Sequence, residues 1–137
     1  MAENTFSPGD PPAIDSEDRF VADLPPVIAK FVRATNSGDL QLLLETFVDD
    51  ALVNDQLHDY WGLQEISTWA LRDVVAEGLR LKIVGVIHHY GHSIVTAHVD
   101  GIFDKRGLPD PLVLAFYFSS QAEKIVQLII LRNHAGI

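Results

Sequence analysis

His88, His89 and His92 bracket Tyr90-Gly91, and histidines so close together raise the question of a metal. In an extended run His88 and His89 point to opposite faces, so at most one of them converges with His92 or His98. No carboxylate completes a His-Glu-x-x-His pattern, and a surface turn is the plainer account. His98 and Asp100 share one face of a predicted strand and are residue types that can pass a proton. Tyr117 offers a hydroxyl within a predicted strand, although a buried tyrosine satisfied by one partner explains it equally well. Cysteine is absent, which excludes disulfides, thiolate nucleophiles and thiolate metal ligands. Gly85 through Gly91 lacks the spacing and the lysine of a phosphate loop, and Lys105–Pro111 has the glycine and prolines of a turn. No nicotinamide, flavin, nucleotide or metal cofactor is called for.

These residues need elements to hold them. Pro25 and Pro26 are tolerable in the first turn of a helix, and Val27, Ile28, Phe31, Val32 and Thr35 then recur at helical spacing until Asn36-Ser37-Gly38. Asp39 is placed to cap a second short helix with Leu40, Leu43, Leu44 and Phe47 as its buried stripe. Ala51–Asp55 reads as a short strand. A third helix is predicted from Leu63 to about Ala76, with Leu63, Ile66, Trp69, Ala70 and Val74 inward, and Gly78 closes it. From Leu79 the pattern changes to four β-rich runs, Leu79–His89, His92–Phe103, Leu112–Ser119 and Lys124–Arg132. Their connections are too short for crossover helices, so these four pair antiparallel.

With 137 residues the chain has the length of one domain, and 47% hydrophobic content suits a packed core. Residues 1–13 read as a flexible, acidic, proline-rich arm and residues 14–137 as a single domain, in which Asp15 or Ser16 caps a short helix. Ten basic against nineteen acidic side chains leave a formal charge of -9, which works against binding to nucleic acid or an anionic membrane surface. The start of the chain shows no signal peptide and no stretch is long and apolar enough for a span, so a soluble cytoplasmic protein is the default expectation.

The stretch Phe31–Leu40, then Leu44–Ala51, then Asp55, Gly62 and Ile66–Trp69 resembles the nuclear transport factor 2 superfamily, and within it the SnoaL-like, polyketide cyclase-like proteins. The likeness covers about residues 25 to 134. It implies an α+β, cystatin-like fold in which three N-terminal helices pack into a strongly curved antiparallel or mixed sheet, a cone-shaped α+β barrel around an apolar pocket. It also implies a function at that pocket, because a carboxylate following an Asp-Asp-Ala segment is the proton-abstracting base in the ketosteroid isomerases of the superfamily, and Asp55 matches it. The oxyanion donors of those isomerases fall at Phe31 and near Ala115 here, and neither side chain can donate a hydrogen bond. A ketosteroid isomerase of the usual kind is therefore not implied.

The candidate catalytic positions are Asp55, which the resemblance implies, with His98 and Tyr117 beside it, and the candidate ligand-binding positions are Phe31, His58, Trp61, Trp69, Val99 and Ala115. If Val95, Val99 and Phe103 face inward, His98 and Asp100 face away from the pocket instead. Apolar residues stand on both faces of the predicted sheet, Ile94 opposite Val95 and Phe116 opposite Tyr117, so a second covering surface is expected, a homodimer through the sheet. The expected ligand is a small apolar or cyclic organic molecule, handled by acid–base isomerase, cyclase or dehydratase chemistry at Asp55. The alternative is a non-catalytic small-molecule-binding or dimeric interaction domain.

Overall fold

The computed structural model describes residues 20–133; the arm over residues 1–13 and the cap at Asp15 or Ser16 lie outside them. Helix α1 (Pro26–Ser37) buries Val27, Ile28, Phe31, Val32, Ala34 and Thr35. Gly38 ends it in the left-handed region at φ 67°, which lets the Gly38 and Asp39 amides donate to the carbonyls of Thr35 and Ala34. Helix α2 (Leu40–Glu45) is capped by Asp39, whose Oδ1 accepts from the Leu42 amide at 3.0 Å. It stops before Phe47 because the Ile125 amide takes the Thr46 carbonyl at 2.7 Å, and Phe47 opens a strand instead of completing the helical stripe.

Strand β1 (Phe47–Asp55) runs into β2 (His58–Trp61) through Gln56 and Leu57, at φ 52° and 72°. Two consecutive positive φ angles make this the tight hairpin turn whose twist matches the flanking strands. Helix α3 (Gly62–Trp69) continues as a wider π-helical turn over Ala70–Val75, together filling the span predicted for one helix. Strands β3 (Arg80–His89), β4 (His92–Asp100), β5 (Leu112–Gln121) and β6 (Lys124–Arg132) follow, an antiparallel meander over the four predicted runs.

The predicted cone-shaped barrel is corrected by the sheet topology. The six strands lie in the order β2-β1-β6-β5-β4-β3, an open mixed sheet that is neither closed nor strongly curled. The β1–β2 hairpin joins the meander through a parallel β1–β6 ladder, leaving β2 and β3 as the two outer strands. Closure would need those two strands to pair, and four others separate them. Nor do three helices precede the sheet, since α3 lies between β2 and β3 in sequence.

The helices pack on one face of this sheet. Phe31 of α1 meets Phe47, Phe116 and Phe118 edge-on at centroid distances of 6.1, 6.5 and 5.2 Å. Asn36 fastens the end of α1 to β3, with its Oδ1 accepting from the Leu81 amide at 2.7 Å and its Nδ2 donating to the Leu81 carbonyl at 3.1 Å. No helix among the described residues is long and apolar enough to cross a membrane.

Candidate active site at Asp55

Asp55 closes β1, where the parallel ladder sets it beside Ile130 and the hairpin sets it opposite His58. The alternation of β1 turns it to the helix-covered face with Val53, which is fully buried. Trp69, at the end of α3 and 1% exposed, donates from its indole nitrogen to Asp55 Oδ2 at 2.9 Å. Gln56 donates to the other oxygen at 3.3 Å and to the Ile130 carbonyl at 3.1 Å. Each oxygen of the carboxylate is thus held by a side-chain donor from a different element.

Burial pushes the Asp55 carboxyl above the ordinary carboxylate range. The donors Trp69 and Gln56 favour the ionised form and limit the rise, Asp73 adds to it, and His58 opposes it. A partly buried carboxyl so raised is a stronger base when ionised and a usable acid when protonated.

Asp55 lines a cavity of about 30 Å³ with Phe31, Thr35, Trp69, Leu114, Phe116 and other side chains, Asp73 among them. That is room for one water-sized group. Asp73 comes from the π-helical turn directly after Trp69 and is ion-paired to Arg72 at 2.8 Å. Arg72 also donates to the Tyr60 hydroxyl at 2.9 Å, and the Tyr60 ring lies 6.3 Å from that of Trp69. Charged and aromatic groups therefore run in contact from the surface to the Asp55 carboxylate.

A second, open cleft of about 860 Å³ lies at the ends of β3 and β4, between Asn36 and the 101–111 connection. Arg80, Lys82, Asp100, Lys105 and Asp110 give it a charged lining that also includes His98, and Leu81 lines both the cleft and the inner cavity.

Phe31 and Trp69 stand with Asp55 at the cavity, while His58 pairs with Asp55 in register but is exposed. The others are elsewhere. Val95, Ala97 and Val99 are the buried residues of β4, so His98 and Asp100 project from the opposite face, and both His98 and Val99 line the outer cleft. Ala115 and Tyr117 alternate with the buried Phe116 and Phe118, which puts them on the outer face, where Tyr117 is 39% exposed. Trp61 pairs with Leu52, whose neighbours Ala51 and Val53 are buried, and is 60% exposed on that same outer face. The proton-transfer set Asp55, His98 and Tyr117 is thus divided between two faces by strand alternation. Among the described residues no group of three or more side chains is arranged to hold a metal ion.

No family model matches the sequence, and no curated protein does. Solved structures do. The chain superposes on a provisionally assigned polyketide cyclase from Sinorhizobium meliloti with a TM-score of 0.73 at 26% identity, covering 81% of this chain and 98% of that one. The chain has the fold of the nuclear transport factor 2-like superfamily and is similar to its SnoaL-like, polyketide-cyclase branch. The same fold is found at 20% identity and a TM-score of 0.65 in a Catenulispora acidiphila protein of ketosteroid isomerase-like fold in complex with trimethylamine, covering 78% of this chain and 85% of that one. TerC, co-crystallised with polyporic acid, matches at 14% identity and a TM-score of 0.66, over 78% of this chain and 88% of that one.

Two polar residues of the cavity, Asp73 and Thr35, were not legible as site residues. Asp73, on the π-helical turn that follows Trp69, lines the cavity beside Asp55. Thr35 reads as one more member of the buried stripe of α1. The signal in the sequence was a hydroxyl on that stripe, one helical turn beyond Phe31.

Proposed function

We propose that the Asp55 cavity receives the reactive end of a small, mostly apolar carbonyl compound and that Asp55 exchanges a proton with a carbon beside the carbonyl. The observation that supports this is a carboxyl raised by burial, aimed by the Trp69 N–H and otherwise faced by Phe31, Leu114, Phe116 and Ile130. The ionised carboxylate takes the proton; the C–H electron pair forms the new C=C bond as the carbonyl pair moves onto oxygen. Return of the proton to another carbon completes an isomerisation, and attack of the enolate carbon on a second carbonyl gives a cyclisation. The body of the ligand passes Leu81 into the outer cleft, since the inner cavity takes only one water-sized group. The Sinorhizobium meliloti neighbour points to a cyclic polyketide-like compound as the substrate class.

The test is deuterium incorporation beside the carbonyl of a panel of cyclic ketones and 1,3-diketones in D₂O, followed by NMR. Exchange that falls at least about 100-fold in Asp55→Asn, with the fold unchanged, is the expected result, within the usual range for removal of a general base. Equal exchange in the variant removes Asp55 from the chemistry. The small inner cavity favours a second reading, in which the ligand binds in the cleft without turnover and Asp55 only orients it. Binding without any exchange across the panel identifies that case.

A further inference from the structure

Thr35 is 3% exposed, lines the Asp55 cavity, and its Oγ1 has no hydrogen-bond partner. A helical Ser or Thr ordinarily returns its hydroxyl to a carbonyl three or four residues back. Neighbouring hydroxyls in this chain do so: Ser37 donates to the Arg33 carbonyl at 2.8 Å, Thr46 to Leu43 at 2.6 Å, and Thr68 to Gln64 at 3.3 Å. Thr35 is the one buried side-chain polar group among the described residues left without a partner. Its position is one helical turn beyond Phe31, on the buried face of α1. The cavity it lines admits a single oxygen-sized group, and its other polar lining is the Asp55 and Asp73 carboxylates. Asp55 and Asp73 accept when ionised and the Trp69 N–H is taken by Asp55, which leaves the Thr35 hydroxyl as an uncommitted donor at the cavity.

We propose that the Thr35 hydroxyl is the hydrogen-bond donor for the carbonyl oxygen of the ligand, so that the cavity selects oxygen-bearing compounds over their hydrocarbon isosteres. This rests on the reading that the cavity takes the reactive end of a ligand.

The test compares cyclohexanone with methylenecyclohexane, which differ by one oxygen against one CH₂, by NMR titration of the full chain followed at the Leu81 and Ile130 amides. In Thr35→Val the affinity ratio of the pair shifts about tenfold toward the hydrocarbon, the size of one hydrogen bond, while Thr35→Ser stays within about twofold of the parent. Thr35→Ala gives the same readout should the valine variant not fold. An unchanged ratio in the valine or alanine variant overturns the Thr35 assignment and leaves the pocket intact. Failure of both compounds to bind the parent overturns the pocket reading itself. A crystal structure of the free protein gives a check that needs no ligand: Thr35 Oγ1 turned to the Phe31 carbonyl overturns the proposal, and Oγ1 bonded to an ordered water in the cavity supports it.

Discussion

The indole N–H of Trp69 donates to Oδ2 of Asp55 at 2.9 Å, across fourteen positions of sequence. One bond thereby ties the end of α3 to the end of β1 and sets the direction of the carboxylate. Trp69→Phe keeps an aromatic ring in the core and removes the donor. Because the bond favours the ionised form, the Asp55 pKa rises further in this variant, read by carbon-detected NMR titration of the carboxyl. Stability falls by about 1.5–3 kcal/mol in urea melts at neutral pH, the range for a hydrogen bond to a charged group. An Asp55 titration identical to the parent would show that the carboxylate does not feel this bond.

The raised pKa of Asp55 also sets a pH dependence of stability. The folded state holds the proton more tightly than the unfolded one, so the contribution is fully present below the unfolded carboxylate pKa and is lost as pH rises through the folded value. Asp55→Asn has no such group. The variant is therefore more stable than the parent at pH 7, seen as a higher Tm, and the gap narrows as the pH falls through the carboxylate range. A gap that is constant with pH, or that widens on acidification, contradicts the assignment.

Asn36 substitutes for a strand neighbour by bonding both the N–H and the C=O of Leu81, the residue shared by the inner cavity and the outer cleft. Asn36→Ala leaves two partly buried backbone groups without those partners, at a cost of about 1–3 kcal/mol. Hydrogen exchange at the Leu81 amide accelerates well beyond that of its neighbour Ile83 if the anchor acts locally. Uniform acceleration along β3 would mean that the whole helix contact, not this residue, is lost.

The outer sheet face carries Leu52, Ile94, Tyr117, Ile129 and Leu131, with Trp61 at its edge, and a second copy of the chain is proposed to cover it. Sedimentation at micromolar concentration is expected to give a dimer mass for the parent and a monomer mass for Ile129→Lys with unchanged circular dichroism. A parent that sediments as a monomer at every concentration removes the dimer.

Local signals made much of the fold legible. Pro26 and Gly38 bound α1, Asp39 caps α2, and the alternation from Leu79 onward marks the four meander strands, because caps, helical spacing and strand alternation act over a few residues. The β1–β2 hairpin escaped notice since Gln56-Leu57 is not a typical positive-φ pair, and its turn is held instead by Gln56 bonding to Ile130 of a distant strand. Asp55 and Trp69 were both candidate site positions in the sequence, but nothing in the chain announces that they bond to each other.

The amino-acid sequence by itself determined the helices, the meander, the apolar stripe containing Phe31 and Thr35, and the acidic surface, all set by the order and type of neighbouring residues. Tertiary structure alone decided the parallel β1–β6 ladder, the open sheet and the separation of His98 and Tyr117 from Asp55. Alternation states that a strand has two faces without saying which one the helices cover, and that choice follows from ladder register and from packing between residues far apart in the chain. The lone hydroxyl of Thr35 belongs to the same class, since a missing partner exists only once every possible neighbour has been put in place.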